Sequence, residues 1–327
     1  MMCPMIEIII HQALERWGMS DASFSFVAGR ENQVFKIVSQ HGQFALRIRR
    51  PGLRQPDELH AELAWLDALY HAGLSVPRPC LSAQGRFLEE IAQYRIDMVS
   101  WLSGTPLGTS RAPLTIDKPA VIFSHLGQIM AQMHIASDEF INDAANTDQH
   151  NKPSGFTRHS WHIDGLLGEA PVWDRFWDNP TLDLATKTLL TDFRTAARTH
   201  LTALSDSLDF GLIHADLVRE NILIDQEAIH LIDFDDGGYG YRLFDIATAL
   251  LKNRAEPDFP ALQQALIEGY QQVRTLDVSQ LDLFMALRAT SYVGWIITRM
   301  DEAGSHQRNT HFITDAQIYC QRYLDSL

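Results

Sequence analysis

Cysteine is scarce in this chain. Cys3, Cys80 and Cys320 are the three cysteines among 327 residues, and they lie far apart in the sequence. An odd, widely spaced set excludes a disulfide framework and a zinc site built on clustered cysteines, and free thiols are typical of a reducing compartment. We therefore predict a cytoplasmic protein.

Long apolar runs are also missing. No run approaches the roughly 20 residues that cross a bilayer. The opening segment MMCPMIEIII has no basic start, and Glu7 interrupts its apolar run, so the pattern of a secretory signal peptide is absent. These features predict that the protein has no membrane partner.

Basic residues are outnumbered by acidic ones, 27 against 41, which gives a net charge of −14. Residues 1–100 hold 10 basic and 11 acidic residues, whereas the remainder holds 17 basic and 30 acidic. This acidic second part argues against a nucleic-acid partner. It favours a cationic small molecule or a bound metal, although an acidic surface that serves only solubility is the alternative.

The residue pattern changes near residue 100. Before it, β-branched and aromatic segments predict strands at 24–29, 33–39 and 43–49, a helix from Pro56 to Gly73, and a further strand pair. After it, one strand region at 211–236 stands among helices predicted at 117–136, 181–205, 242–253, 258–274, 278–301 and 313–326. We predict an α+β fold with a small β-rich lobe, residues 1–100, and a larger, mainly helical lobe, residues 101–327.

The strand region of the second lobe carries the clearest chemistry. NILID and AIHLID read as two antiparallel strands that turn at Gln226-Glu227. This hairpin gathers Asp216, Asn221 and Asp233 at one end. An amide oxygen beside a carboxylate is the kind of hard ligand set that Mg²⁺ takes together with phosphate oxygens. Asp216 is then placed to accept the proton of an attacking hydroxyl.

The spacing H-x-D-x-x-x-x-N, followed by an Asp after an apolar run, resembles the catalytic and metal motifs of protein-kinase-like enzymes. Here it begins at His214, and the motifs are HAD and DFD rather than the HRD and DFG of eukaryotic protein kinases. The segment LIDFDDGGYGYRLFDIA is similar to the aminoglycoside phosphotransferase and choline kinase superfamily. LRIRRPGLRQPDELHAELAWLDAL resembles bacterial members near type II homoserine kinase and stress-response kinase A. The resemblance covers nearly the whole chain and implies a protein-kinase-like fold.

The resemblance implies an ATP- and Mg²⁺-dependent phosphotransferase. Asp216 would be the catalytic base, Asn221 and Asp233 would hold Mg²⁺, and Asp235 would assist with a second ion. His214 would brace the catalytic loop. Asp245, in FDIA, would hydrogen-bond the backbone of that loop.

The resemblance also assigns the nucleotide-binding role to the first lobe. The loop Gly29-Arg30-Glu31-Asn32 would cover the phosphates, with Gly29 and Asn32 as its ends. Where the family has a phosphate-binding Lys, this chain has Arg47, and Glu62 on the next helix would steady it. Arg49, on the same strand face, is the second candidate, and a solvated basic strand edge is the alternative for both.

By the same resemblance, the segment MVSWLSG corresponds to the family's hinge, whose backbone binds adenine. The Ser100 carbonyl and the Leu102 amide would be the partners of the base.

The acceptor is less clearly marked. Tryptophans and aspartates alternate over residues 156–180 (Trp161, Trp173, Trp177, Asp164, Asp174 and Asp178). Such a set can hold a cation, but packing at a helix junction is the favoured alternative. If the acceptor carries a carboxylate, a cation such as Arg299 or Arg242 is needed.

Three functions are compatible with these residues. The first is an ATP-dependent kinase that phosphorylates a hydroxyl of a small, amine-bearing metabolite such as an amino alcohol, an amino acid or an aminoglycoside-like compound. The second is a Ser/Thr protein kinase of the stress-response type, since one fold can host either acceptor. The third is a pseudokinase that binds ATP without turnover. The intact Asp216, Asn221 and Asp233 argue against the third.

Overall fold

The computed structural model describes residues 4–29, 32–146 and 156–327. Cys3 and the Arg30-Glu31 pair of the predicted phosphate loop lie outside the described residues. The described residues form two compact units. The first draws them from 1–105, 139–158 and 223–232, and the second from 106–138, 159–222 and 233–327. The functional division at residues 1–100 and 101–327 stays a prediction.

The described α-helices are α1 (Pro4–Arg16), α2 (Pro56–His71), α3 (Pro119–Asn146), α4 (Ile163–Leu167), α5 (Leu184–Leu204), α6 (Arg242–Leu251), α7 (Phe259–Gln271), α8 (Leu281–Trp295) and α9 (Ser305–Asp325). Short 3-10 turns cover Phe176–Asp178, Arg219–Asn221 and Ile297–Arg299. None of these described helices combines the length and the apolar character needed to span a membrane.

The described strands are β1 (Ser23–Gly29), β2 (Asn32–Ser39), β3 (Gly42–Arg49), β4 (Leu88–Ile91), β5 (Tyr94–Ser100), β6 (Thr105–Pro106), β7 (Ser160–Trp161), β8 (Phe210–Ile213), β9 (Ile222–Asp225), β10 (Ala228–Leu231) and β11 (Gly238–Tyr241). They form three sheets in the orders β1-β2-β3-β5-β4, β10-β9-β6 and β7-β11-β8.

In the first unit, the five-stranded antiparallel sheet separates an apolar face from a charged one. Side chains alternate across a strand, so Leu46 and Ile48 of β3 enter the core while Arg47 and Arg49 lie on the other face. The core is formed with helix α1, whose buried residues are Ile6, Ile9, Ile10, Ala13 and Leu14. This helical spacing of apolar residues explains why the apolar opening segment folds as a helix.

In the second unit, β8 and β11 pair antiparallel, with Ile213 opposite Gly238. β7 adds to β11 in parallel. Helices α6 and α8 are buried along almost their whole length, so they form the core of this unit.

The structure confirms the α+β fold, with a β-sheet N-terminal part and a helical C-terminal part. The hairpin of β9 and β10 has its turn at Gln226-Glu227, as predicted. Three details were wrong. Helix α1 was not predicted, and α9 begins at Ser305 rather than at 313. The region 211–236 is not the single strand region after residue 104, because β6, β7 and β11 lie outside it.

Candidate active site

Two loops meet at the neighbouring ends of strands β8 and β11. The loop 214–221 follows β8, and the loop 232–237 precedes β11. Because Ile213 pairs with Gly238, the start of the first loop lies beside the end of the second. The ring of His214 lies 4.3 Å from the ring of Phe234. The sheet thereby brings the HAD motif next to the DFD motif.

Asp245 holds the backbone of the first loop. Its carboxylate accepts from the His214 amide at 2.8 Å and from the Ala215 amide at 2.6 Å. Ala215 has a φ of 63°, a left-handed conformation that costs a non-glycine residue free energy and needs such support. The His214 ring nitrogen Nδ1 accepts from the Asp216 amide at 3.3 Å. Both predicted bracing roles, of His214 and of Asp245, are confirmed.

A buried chain of polar groups supports Asp245 from behind. His134 contacts Asp245 Oδ2 through Nε2 at 3.1 Å and the Tyr270 hydroxyl through Nδ1 at 2.7 Å. Burial, assisted by Arg242, lowers the pKa of His134 to about 4, so the ring is neutral at pH 7. Burial alone would raise the pKa of Asp245, but its hydrogen bonds with His134 and the His214 amide hold that pKa below its usual value.

Asp216 and Asn221 lie together, as predicted. Asn221 Nδ2 donates to the Asp216 carbonyl at 2.9 Å and to Asp216 Oδ2 at 3.0 Å. Both partners only accept hydrogen bonds, so the amide nitrogen must face them. The Oδ1 atom of Asn221 therefore faces the opposite direction, as an oxygen ligand for a cation requires.

The other oxygen of Asp216 is bound by a residue that the sequence did not single out. Arg288 Nη2, on α8, donates to Asp216 Oδ1 at 2.8 Å. The Arg288 side chain is fully buried, with the rings of Trp173, Phe244 and Tyr292 at 4.7, 5.2 and 4.2 Å from its guanidinium carbon. The signal in the sequence was a lone Arg within the apolar segment LDLFMALRATSYVGW.

The donor set near the catalytic loop fits a magnesium ion. Asp233 is exposed and has a φ of 68°, whereas Asp235 is 8% exposed. Within the residues that the structure describes, no group of three or more His, Cys, Asp or Glu side chains converges as a metal site. Mg²⁺ takes one or two protein oxygens and completes its shell with phosphate oxygens and water, so an amide oxygen and a carboxylate are ligands of the kind it needs. Asn221 and Asp233 would provide the protein ligands.

In the first unit, Arg47 belongs to a buried cluster of charged side chains. Its Nη1 donates to Glu62 at 2.9 Å, as predicted, and its Nε donates to Asp97 at 2.5 Å. Arg49 binds the same two acids, Asp97 at 2.6 Å and Glu62 at 2.8 Å. Arg158 Nη1 adds a third guanidinium, 3.6 Å from Glu62. Asp97 was not predicted from the sequence. The alternative of a solvated strand edge is wrong, because both Arg47 and Arg49 are buried.

This cluster carries three positive and two negative charges. Burial alone would raise the pKa of Glu62, but Arg49, Arg47 and Arg158 together hold it well below its usual value. Glu62 is thus ionised. Arg47 Nη2 is buried and has no hydrogen-bond partner among the described residues. An anion such as a phosphate group would satisfy this N–H group.

The remaining predicted nucleotide-binding residues lie at strand ends of the same sheet. Gly29 ends β1 and Asn32 begins β2. A Cβ atom on Gly29 would lie 2.9 Å from the ring of the exposed Phe26, which would have to move to accommodate it. Ser100 ends β5, and its amide donates to the Arg78 carbonyl at 2.8 Å. In the described part of the chain, the Leu102 amide has no backbone or side-chain acceptor, which leaves it open to a ligand.

The tryptophans of residues 156–180 mostly pack in the core. Trp161 is 1% exposed and stacks on Phe244 with centroids 5.3 Å apart. Trp177 is also buried, and Arg194 lies 3.8 Å from its centroid. Trp173 alone of the three contacts the guanidinium that holds Asp216. The packing alternative is confirmed for Trp161 and Trp177.

Two of the interleaved acids are paired within the protein. Asp164 accepts from Arg198 at 2.7 Å, and Asp178 lies 3.6 Å from the Lys187 ammonium. Arg242, which was one candidate for binding a carboxylate of the acceptor, is fully buried and donates to Asp138 and to the Leu212 carbonyl. The interpretation of Arg242 as a ligand-binding cation is therefore wrong.

Comparison with known proteins identifies the family. The model of the phosphotransferase enzyme family, APH, matches residues 25–281. The chain belongs to this family. The homoserine kinase of Acidiphilium cryptum is 27% identical over 277 residues, which cover 83% of this chain and 78% of that protein.

Solved structures show the same fold. A microcompartment-associated aminopropanol kinase has a TM-score of 0.81 and 27% identity, and the match covers 98% of each chain. The amicoumacin kinase hAmiN, solved in complex with AMP-PNP, Ca²⁺ and Ami, has a TM-score of 0.70 and 20% identity over 95% of this chain and 92% of that one. The resemblance and the protein-kinase-like fold are confirmed. This chain is therefore a small-molecule kinase of the APH family, and it transfers a phosphoryl group to an alcohol group.

Proposed function

We propose that this APH family kinase uses ATP and Mg²⁺ to phosphorylate a hydroxyl group of a small, amine-bearing metabolite, with Asp216 as the base. The observation that carries the proposal is the fixed carboxylate of Asp216. One of its oxygens accepts from Arg288 and the other from Asn221. The acceptor class is supported by the 27% identity to an aminopropanol kinase over nearly the full length of both chains.

Asp216 retains the capacity to take a proton. Each carboxylate oxygen has two acceptor positions, so the bonds from Arg288 and Asn221 leave one position on each oxygen. The acceptor hydroxyl would give its proton to Asp216 while its oxygen forms a bond to the γ-phosphorus, and the bond from that phosphorus to the oxygen of ADP breaks. Catalysis of this step depends on alignment and charge neutralisation.

The nucleotide and its metal ion would be held by the residues that the sequence analysis assigned to them. Asn221 Oδ1 and Asp233 would hold Mg²⁺, with Asp235 as a further candidate, and the bound ion would neutralise charge on the phosphate oxygens. Arg47 would bind a phosphate oxygen through its unpaired Nη2, with Glu62 holding its guanidinium in place. Gly29 and Asn32 would border the loop over the phosphates, and the Ser100 carbonyl and Leu102 amide would bind adenine. The complex of hAmiN with AMP-PNP and Ca²⁺ supports a nucleotide and a divalent cation in this fold.

The test is a coupled ADP-release assay over amino alcohols, hydroxy amino acids, aminoglycosides, neutral sugars and sugar phosphates. We expect turnover with an amine-bearing compound, and turnover lower by roughly 10²-fold or more with the Asp216→Asn variant. For a cationic acceptor, KM should increase as salt rises from low to physiological strength, because the acidic surface is then screened. Best activity on a neutral sugar or an anionic metabolite without a salt effect would contradict the proposal.

A protein acceptor is the second candidate, and the fold alone does not exclude it. Transfer of phosphate to a Ser/Thr peptide library, with no turnover of the small molecules, would favour it.

A further inference from the structure

A lysine lies close to the candidate base. Lys252 follows α6, and its ammonium is 3.7 Å from the ring centroid of Tyr292 and 5.3 Å from that of Phe312. The two rings stack, with centroids 5.0 Å apart. The Tyr292 hydroxyl accepts from the same Arg288 nitrogen that binds Asp216. One aromatic side chain thus connects the Lys252 ammonium with the group that holds the base.

Every carboxylate around Lys252 is engaged elsewhere. Asp216 is bound by Arg288 and Asn221, as described above. Glu220 accepts from the Ser110 amide at 2.6 Å and from its hydroxyl at 3.1 Å. Asp315 pairs with Arg254. Over residues 4–29, 32–146 and 156–327, no carboxylate oxygen lies within 4 Å of the Lys252 ammonium. Its positive charge is therefore available to a ligand.

A second cation lies against the same aromatic pair. The guanidinium carbon of Arg111 is 5.7 Å from the Phe312 centroid. Arg111 is exposed, on the loop between β6 and α3, and its φ of 73° places it in the left-handed region. It makes no ion pair with any residue of the described ranges. Lys252 and Arg111 thus lie against the same aromatic ring, and neither forms an ion pair within the described ranges.

We propose that Lys252 and Arg111 form an anion subsite that binds the carboxylate of the acceptor, so that the preferred substrate is a hydroxy amino acid rather than an amino alcohol. This inference rests on the proposed function and selects one class within it. A carboxylate at this position would gain charge-assisted hydrogen bonds from a part-buried ammonium. It would also anchor the acceptor near the oxygen of Asp216 that takes the proton.

The charge of Lys252 depends on pH in the physiological range. The groups that face it are Asp216, Glu220, Arg254, Arg288, Tyr292 and Asp315. Burial is the main cause that lowers the pKa of Lys252 to about 7, and Arg288 acts in the same direction. The nearby Asp216 raises it, but less. Lys252 is thus charged below about pH 7 and loses its charge above it, so the subsite should weaken as pH rises.

Matched acceptors that differ only in the carboxylate provide the test. The pairs are L-threonine and 1-amino-2-propanol, L-serine and ethanolamine, and L-homoserine and 3-amino-1-propanol, each assayed with full-length enzyme and Mg-ATP. We expect a higher kcat/KM for the amino acid in the best pair. Lys252→Met should raise KM for that amino acid about tenfold or more, which is the usual effect of losing one hydrogen bond to a charged group. KM for the matched amino alcohol and for ATP should stay within about twofold.

Conservative and control variants sharpen this test. Lys252→Arg keeps the charge and should retain much of the affinity. Wild-type KM for the amino acid should increase from pH 6 to pH 8, whereas Lys252→Arg should show little change because Arg stays charged. Arg111→Ala, on an exposed loop, should raise the same KM without loss of folding. Lys187→Met, on the surface and paired with Asp178, should leave every constant unchanged.

Three results would overturn the inference, and they differ in what they imply. If the amino alcohol is preferred and neither Lys252→Met nor Arg111→Ala changes KM for the amino acid, the inference is wrong and the proposed function stands. If Lys252→Met raises KM for ATP by the same factor whether the amino acid or the amino alcohol is the acceptor, Lys252 binds the nucleotide rather than the acceptor. If no member of any pair is phosphorylated, the proposed function fails together with the inference.

Discussion

Arg288 Nη2 donates to Asp216 Oδ1 at 2.8 Å and to the Tyr292 hydroxyl at 2.7 Å. The rest of the guanidinium is enclosed by aromatic rings, and its buried Nε and Nη1 have no hydrogen-bond partner in the part of the chain that the structure describes. A buried charge with so few partners is expensive in folding free energy. The arrangement is explained if the cation fixes one rotamer of Asp216, with the aromatic faces contributing cation–π stabilisation.

Arg288→Met should therefore reduce kcat strongly and leave nucleotide binding nearly intact. Loss of the clamp lets the Asp216 carboxylate leave the position needed to receive the proton, and misplacement of about 1 Å can cost on the order of 10²-fold in rate. Arg288→Lys should restore part of kcat. Steady-state kinetics and Mg-ATP calorimetry measure the two effects, with the surface variant Arg322→Met as control. Equal loss of kcat and of ATP affinity would indicate a general structural role instead.

Asp233→Ala and Asp216→Asn should separate metal binding from proton acceptance. Asp233→Ala removes a proposed ligand, so turnover should be abolished and Mg-ATP affinity should fall while the fold stays intact. Asp216→Asn removes the proton acceptor alone, so turnover should fall roughly 10²-fold or more at nearly normal Mg-ATP affinity. Calorimetry with Mg-ATP decides between these roles, and equal loss of affinity in both variants would show the assignment to be wrong.

Arg47 and Arg49 share two acids and should nevertheless have different functions. Arg47 has the unpaired Nη2 and the more exposed side chain, 11% against 3%. Arg47→Ala should raise KM for ATP and lower kcat, because phosphate contacts persist into the transition state, and Arg47→Lys should keep part of the activity. Arg49→Ala should mainly lower the melting temperature, because it removes a buried partner of Glu62 and Asp97. If Arg47→Ala left KM for ATP and kcat unchanged while Arg49→Ala abolished activity, the two roles would be reversed.

The features that sequence could predict are local in the chain. The hairpin of β9 and β10, the contact of Asp216 with Asn221 and the bracing by Asp245 follow from short spacings and from a family resemblance. Alternation along β3 placed Arg47 and Arg49 on one face. Each of these needs the geometry of a single strand, loop or turn.

The features that sequence missed depend on contacts between distant segments. Asp97 is 50 residues from Arg47, and Arg288 is 72 residues from Asp216. The local sequence pattern of α8 does not indicate which group Arg288 will contact. The polar start of α9 was likewise not predicted as helix, because its stability comes from tertiary packing, such as the stack of Phe312 on Tyr292.

The buried chain from Tyr270 through His134 to Asp245 should make stability depend on pH. In the unfolded chain His134 takes up a proton near pH 6.5, whereas in the folded protein its pKa is about 4. Acidification between these values therefore favours the unfolded state, by on the order of 1 kcal/mol at pH 5.5 and on the order of 3 kcal/mol in full. Asp245, whose pKa is below its usual value, adds its own effect at lower pH. Urea unfolding at pH 7.5 and pH 5.5 should show the loss, and His134→Gln should reduce that pH difference although it lowers stability at both pH values. The exposed variant His41→Gln serves as control. An unchanged pH difference in His134→Gln would mean that His134 is not the group that resists protonation.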